Sequence, residues 1–245
     1  MPHLRSVEGI TMMKRYVDNW LSVLLLYANL KRSVTVRFKD GDVTELSKKD
    51  YVPFYEKLYH KYLEDNGFSY LADNIIKTPD GLTLMLPSPI YSLVFDEIYL
   101  MQVYGKPDLT GKVVIDVGAA IGDTAVFFKK CGAKAVYGYE LDETRVGIAQ
   151  KNIEMNVMGH SVVVYNKKAT VEELHKLMAT INDPIFLKLD CEGCEYDIIP
   201  RLDISKVTDV VMEYHREPGP LMEALARAGF SDIRLDRKVV MIKAS

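Results

Sequence analysis

Two short segments hold most of the residues whose types and spacing could do chemistry. The first, 114–124, reads Val-Ile-Asp-Val-Gly-Ala-Ala-Ile-Gly-Asp-Thr. An apolar strand carries Asp116 near its end, a glycine-bearing loop follows, and a helix starts near Asp123. Gly118 and Gly122 permit close backbone approach and a positive φ. Eighteen residues after Gly122, a second apolar run ends in Glu140. An acidic side chain there can accept hydrogen bonds from both ribose hydroxyls of an adenosine. The second segment, 186–196, reads Phe-Leu-Lys-Leu-Asp-Cys-Glu-Gly-Cys-Glu-Tyr. It brings Asp190, Glu192 and Glu195 to the end of another strand, and Gly193 lets the chain turn into the next helix.

Two ligand classes suit an acidic second-strand end: NAD-type dinucleotides and S-adenosylmethionine. The glycine spacing is G-x-x-x-G, not G-x-G-x-x-G. Asp123 also stands where a helix N-terminus would receive a pyrophosphate. Such an end attracts anions, but a carboxylate already placed there repels a second one. S-adenosylmethionine has no phosphate and carries a positive sulfonium, so it is the expected cofactor. Its candidate contacts are Asp116, Gly118, Ala119, Gly122 and Asp123, then Glu140 and Leu141, Asn166 after the third strand, and Asp190. The alternative is a set of turn glycines with a helix cap.

A hydroxyl acceptor must lose its proton, and a carboxylate or histidine can take it. Asp190, Glu192 and His215 are the candidate catalytic residues. His215 closes the run 210–215, Val-Val-Met-Glu-Tyr-His, at an adjacent strand end. Cys191 and Cys194 have no second pair for a four-cysteine zinc site, and small buried side chains are the expectation for them. No metal is expected, although Asp190, Glu192 and His215 have the donor types for a divalent ion. The segment after Leu189 lacks the Pro-Pro-aromatic slot that suits a planar base amine, which argues against nucleobase N-methylation.

These residues need a scaffold. From about residue 110 onward, short apolar runs without polar alternation (113–117, 135–139, 162–165, 185–189 and 210–212) suit strands covered on both faces. Helical stretches lie between them, at 124–130, 143–156, 171–180 and 196–202. Repeated strand–helix units imply a doubly wound, mostly parallel sheet with right-handed crossovers. A helix at 220–228 and two closely connected strands, 231–235 and 238–242, predict an antiparallel edge hairpin. The expected domains are 1–105, an α+β accessory region that could cap the acceptor site, and 106–245, the cofactor-binding domain. In the former, Asp40-Gly41 predicts a hairpin, Ser47 with Asp50 a helix start, and tyrosines at helical spacing from Tyr51 a packed helix ended by Asn66-Gly67. A second hairpin is predicted from 75–77 to 82–86.

The chain has 245 residues, 48% hydrophobic and 27% charged, with net charge −3 and three cysteines. That mix excludes disorder and fibre and gives no electrostatic case for general nucleic-acid binding. Three cysteines do not make a secreted disulfide framework, so a reducing, cytoplasmic setting is expected. The most apolar run, 20–30, is shorter than the roughly 20 residues of a spanning helix. Asp18 and Asn19 precede it, and no small-x-small site follows, so a helix is expected there, not a leader.

The sequence resembles the FkbM family of S-adenosylmethionine-dependent methyltransferases. The resemblance rests on 114–123, on Tyr-Gly-Tyr-Glu at 137–140, on Lys-Asn-Ile-Glu-Met-Asn at 151–156 and on Lys-Leu-Asp-Cys-Glu-Gly-Cys-Glu at 188–195. Phe-Asp-Glu-Ile-Tyr at 95–99 and Val-Tyr-Gly at 103–105 are family-like too. It implies a seven-stranded class I methyltransferase fold and O-methylation of a hydroxyl on a sugar-like or small-molecule acceptor. The family usually has asparagine where this chain has Ala120, and a small apolar residue where it has Cys194. Rival readings are an RNA methyltransferase, an NAD-dependent oxidoreductase on the same sheet, and a non-catalytic cofactor-binding protein. Oligomeric state is not legible.

Overall fold

A computed structural model describes residues 7–87, 95, 98–99, 102–236 and 239–244. Its residues fall into two compact units, one ending at Gly81 and one comprising Leu82–Pro87 and the described residues from Phe95 onward.

The first unit contains α1 (Val7–Tyr16), α2 (Trp20–Tyr27), β1 (Ser33–Arg37), β2 (Val43–Ser47), α3 (Tyr51–Asp65), β3 (Ser69–Ala72) and β4 (Ile75–Lys77). β1 and β2 form the predicted hairpin, with Arg37 opposite Val43 and Gly41 at φ +97° in its turn. The backbone N–H and hydroxyl of Ser47 both donate to Asp50, at 2.9 and 2.6 Å, fixing the entry to α3. The tyrosine stripe is packed: Tyr55 and Tyr59 are buried with Phe54, Leu58 and Leu63. β3, which pairs antiparallel with β4, has no counterpart in the expectations. Its four residues carry too little alternation to announce a strand.

The second unit begins with β5 (Thr83–Met85) and continues with β6 (Val113–Val117), α4 (Asp123–Lys130), β7 (Ala135–Glu140), α5 (Glu143–Met155), β8 (Val162–Asn166), α6 (Val171–Thr180), β9 (Ile185–Leu189), α7 (Glu195–Ile198), β10 (Val207–Glu213), α8 (Gly219–Arg227), β11 (Phe230–Asp236) and β12 (Val239–Ala244). Seven strands form one sheet in the order β8-β7-β6-β9-β10-β12-β11. β6 pairs parallel with β7 and β9, β7 with β8, and β9 with β10. Every residue of β6 and β9 is buried, which explains why their sequences are apolar except for Asp116 and Lys188. The chain winds outward from β6 through β8 and then returns to β9 on the other side. That reversal opens a crevice at the carboxyl ends of β6 and β9.

The antiparallel edge hairpin is present: β11 and β12 pair with each other at the edge of the sheet, β12 also pairs antiparallel with β10, and β11 is outermost. One expectation is corrected. The helix expected over 196–202 is the four-residue α7; Ile199 keeps helical backbone angles, but Pro200 has no N–H to continue the ladder.

The 151–156 motif has a structural task. On α5, Asn152 accepts from the Met85 N–H at 2.6 Å and donates to the Ile121 carbonyl at 2.8 Å. One turn on, Asn156 accepts from Thr83 N–H at 2.9 Å and donates to its carbonyl at 2.7 Å. Two amides thus act as a strand edge for β5, and Asn152 also anchors the loop before α4.

Candidate active site

The crevice is built around a buried charge pair. Asp116 and Lys188 are register partners on neighbouring strands. The Lys188 ammonium lies 2.9 Å from Asp116 Oδ1, and the two side chains are 1% and 0% exposed. It also donates to the Gly118 carbonyl at 2.7 Å, and the Thr124 hydroxyl donates to Asp116 Oδ2 at 2.5 Å. Burial alone would push Lys188 down, but the Asp116 carboxylate outweighs it and holds the ammonium above the usual lysine range. Asp116, expected to touch a cofactor, is therefore engaged within the protein. Lys188 is the residue the sequence reading passed over. Its signal was a lysine in the middle of an otherwise apolar strand, a position it occupies only when paired.

The glycines act by absence of a side chain. Gly118 has φ +84°, and a Cβ there would sit 1.8 Å from the Asp190 carbonyl oxygen. The loops after β6 and β9 therefore meet backbone to backbone, and the Asp190 N–H donates to Val117 O at 3.0 Å. A Cβ on Gly122 would lie 2.8 Å from the Ala149 Cβ, so this glycine seats the loop on α5.

Glu140 is nearly buried. Its Oε1 accepts from the N–H groups of Leu141 and Asp142, both at 2.8 Å, and its Oε2 from Ala120 N–H at 3.1 Å. Three of about four lone-pair positions are thereby engaged, leaving room for one further donor on Oε2. Ala120 holds a left-handed φ of +43°, a conformation asparagine adopts more readily than alanine. Ala119 is buried, Leu141 is exposed, and the Asn166 amide donates to Leu141 O at 2.9 Å. Asn166 thus props the turn after Glu140.

Asp123, at the start of α4, is wholly buried, and neither carboxylate oxygen makes a hydrogen bond among the described residues. Burial, helped by the neighbouring Asp116 charge, pushes its carboxyl up to about 6, against the pull of Lys188. A cationic ligand group would supply the missing counter-charge. The glycine cradle, the open position on Glu140 and this uncompensated carboxylate together fit a nucleoside with a positively charged tail, the chemistry of S-adenosylmethionine.

The neighbouring edge is chemically different. Glu195 is fully buried, and its Oε1 lies 3.0 Å from Nδ1 of His215 and accepts the His215 N–H at 3.3 Å. Its other oxygen accepts Gly193 N–H at 3.0 Å. Nε2 of His215 faces Glu192 at 3.4 Å. Burial would push the imidazole down, but Glu195 and then the Glu213 and Glu192 charges outweigh it and raise it above its ordinary value. Tyr104, from the family-like 103–105 segment, places its hydroxyl 3.4 Å from Asp190 Oδ2. Asp190, Glu192 and His215 thus converge as expected, joined by Glu195. Donor atoms of Asp190, Glu213 and His215 lie within 4.8 Å of one another. One expectation fails: Cys191 and Cys194 are not merely small side chains but a disulfide. A ring this small restricts the unfolded chain by only about 2 kcal/mol, so its effect is local.

Comparison with known proteins narrows the class. The PrmA family, described as ribosomal protein L11 methyltransferase, matches residues 99–188. Ribosomal protein L11 methyltransferase of Streptococcus mutans serotype c is 45% identical over 245 residues, 91% of this chain and 76% of that protein. The Streptococcus agalactiae serotype V enzyme of the same name is 46% identical over 195 residues, 74% of this chain and 62% of that protein. The chain spans only 38% of the length of the Streptococcus thermophilus relatives, with 32% identity over 121 residues. A solved structure of ribosomal protein L11 methylase from Lactobacillus delbrueckii subsp. bulgaricus is 22% identical, covering 54% of this chain and 70% of that one, with a TM-score of 0.39.

Fold, crevice and relatives define an S-adenosylmethionine-dependent class I methyltransferase. Within that class, the chain belongs to the ribosomal protein L11 methyltransferase family. The FkbM resemblance is corrected at the family level, while the class, fold and cofactor it implied stand. The expected small-molecule or carbohydrate acceptor is overturned, because these relatives are named for a ribosomal protein. The RNA alternative fits that name no better. The physical reason is plain: the motifs read the cofactor's nucleoside and the sheet that carries it, and neither encodes the acceptor. No helix among the described residues is long and apolar enough to cross a membrane.

Proposed function

We propose that this chain methylates a protein acceptor of the kind its relatives are named for, a ribosomal protein, in the cytoplasm. The kinship with the Streptococcus mutans enzyme carries the reading. Gly118, Ala119, Gly122, Asp123, Glu140 and Leu141 would hold S-adenosylmethionine, with Asn166 supporting the turn and Asp116 acting through Lys188. The cofactor supplies an electrophilic methyl group when bound. The chain's own residues then have two tasks. They hold the acceptor in line, a positioning effect worth up to ~7–11 kcal/mol, and they remove its proton. Glu195 holds Nδ1 of His215, which leaves Nε2 to take that proton. Asp190, Glu192 and Glu213 make the mouth acidic, a setting that draws a basic side chain. Residues 1–105 are proposed as the accessory region that presents the acceptor.

The test uses S-adenosylmethionine with a tritiated methyl group and dissociated ribosomal subunits. Label in one ribosomal protein band is expected. Label only in ribosomal RNA, or none in any component, would contradict the acceptor assignment.

A further inference from the structure

The loop between β9 and α7 carries a covalent feature that methyl transfer does not need. Cys191 and Cys194 are joined, closing a four-residue ring that contains Glu192 and Gly193. Within it Glu192 holds a left-handed φ of +57° and Gly193 a φ of +110°. A side chain adopts the first of these only when its surroundings impose it. The ring touches His215 through both nitrogens: Glu192 stands 3.4 Å from Nε2, and Gly193 N–H donates at 3.0 Å to Glu195, the residue that contacts Nδ1. Both sulfur-bearing residues are partly exposed, so a small thiol can reach them.

We propose that Cys191 and Cys194 form a reversible dithiol–disulfide site, and that its state sets how the His215 imidazole is held. The chemistry is thiol–disulfide exchange. A dithiol reductant attacks one sulfur as its thiolate and forms a mixed disulfide. Its second thiolate then displaces the protein sulfur. Two electrons and two protons end on Cys191 and Cys194, and the reductant leaves as a cyclic disulfide. In reverse, a low-molecular-weight disulfide takes the same two electrons and departs as two thiols. Exposed disulfides are the labile ones, and Cys131 takes no part in this bond.

Opening the ring removes the closure that keeps Glu192 left-handed beside Nε2. Glu195 from α7, Asp190 from the end of β9 and Glu213 from β10 remain near the imidazole, while Arg216 reaches toward Gly193. The dithiol form therefore loses one of the carboxylates that favour the protonated imidazole.

The proposal does not depend on the acceptor, and neither does its test. Wild-type protein is equilibrated with excess dithiothreitol or with glutathione disulfide. Part is alkylated for peptide mass mapping, and the His215 imidazole resonance is followed through a pH titration, assigned with His215→Gln. Alkylation of both Cys191 and Cys194 is expected only after reduction. The His215 midpoint is expected to shift downward in the dithiol form. A Cys191→Ser, Cys194→Ser double variant should give one curve under both conditions. A bond that does not open and reclose would overturn the proposal, and so would a His215 curve identical in the two wild-type forms.

Discussion

Two adjoining edges of one sheet are built on opposite rules. At the ends of β6 and β7, charge is enclosed: Asp116 is neutralised out of water by Lys188 of the neighbouring β9, and nearly buried Glu140 accepts three backbone N–H groups with one position left open. At the ends of β9 and β10, charge is accessible and titratable: His215 stands between a buried and an exposed carboxylate, beside a disulfide. The first edge is a fixed mould. The second is an adjustable proton-handling group on short, non-repetitive backbone. Holding a ligand rewards rigidity, whereas moving a proton needs a group poised near neutral pH.

The contrast breaks most sharply at the buried pair. Lys188→Met leaves Asp116 charged and unpaired, which should cost about 3–5 kcal/mol of stability, read as a lower urea midpoint. Adding Asp116→Asn should recover most of it. A single variant as stable as wild type would mean the first edge is not organised by this pair.

A change on the other edge should move rate and not affinity. His215→Ala should lower methyl transfer by about 10²-fold or more, with S-adenosylhomocysteine affinity unchanged by calorimetry. Equal loss of both would merge the two edges into one binding site.

The smallest effect concerns the one uncompensated charge on the first edge. The Asp123 carboxyl titrates at about 6, above its unfolded value of 3.8. A carboxyl raised in this way binds protons better in the folded state. Its contribution is therefore intact at low pH and declines as pH rises from about 4 to 6. Asp123→Asn should stabilise the free protein at pH 7 by on the order of 1–3 kcal/mol, do nothing below pH 4, and weaken cofactor binding. Stability unchanged at pH 7 would show that Asp123 already has a partner.

Much of this was legible in the chain. Largely apolar runs without polar alternation announced β6 and β9 because both faces are covered, and the glycine loop marked the crevice because only glycine tolerates Asp190 O at Gly118. Three features were not legible. Lys188 looked like a polar lapse in a strand, because its partner lies 72 residues away in sequence. Glu195 was expected at the right strand end, but its full burial and its contact with His215, 20 residues away in sequence, depend on tertiary packing. The order of β11 and β12 depends on long-range pairing, which a local hairpin pattern does not specify. The acceptor was misread for a different reason: the informative motifs all serve the cofactor edge.

The central claim is that the β6–β7 edge grips the nucleoside through Glu140. Calorimetry with S-adenosylhomocysteine on wild type and on Glu140→Ala tests it directly, with circular dichroism to verify the fold. Binding by the wild type and a loss of about 10- to 100-fold in the variant are expected, the worth of a hydrogen bond to a charged group. Equal affinity in the two proteins, or no binding by the wild type, would contradict it.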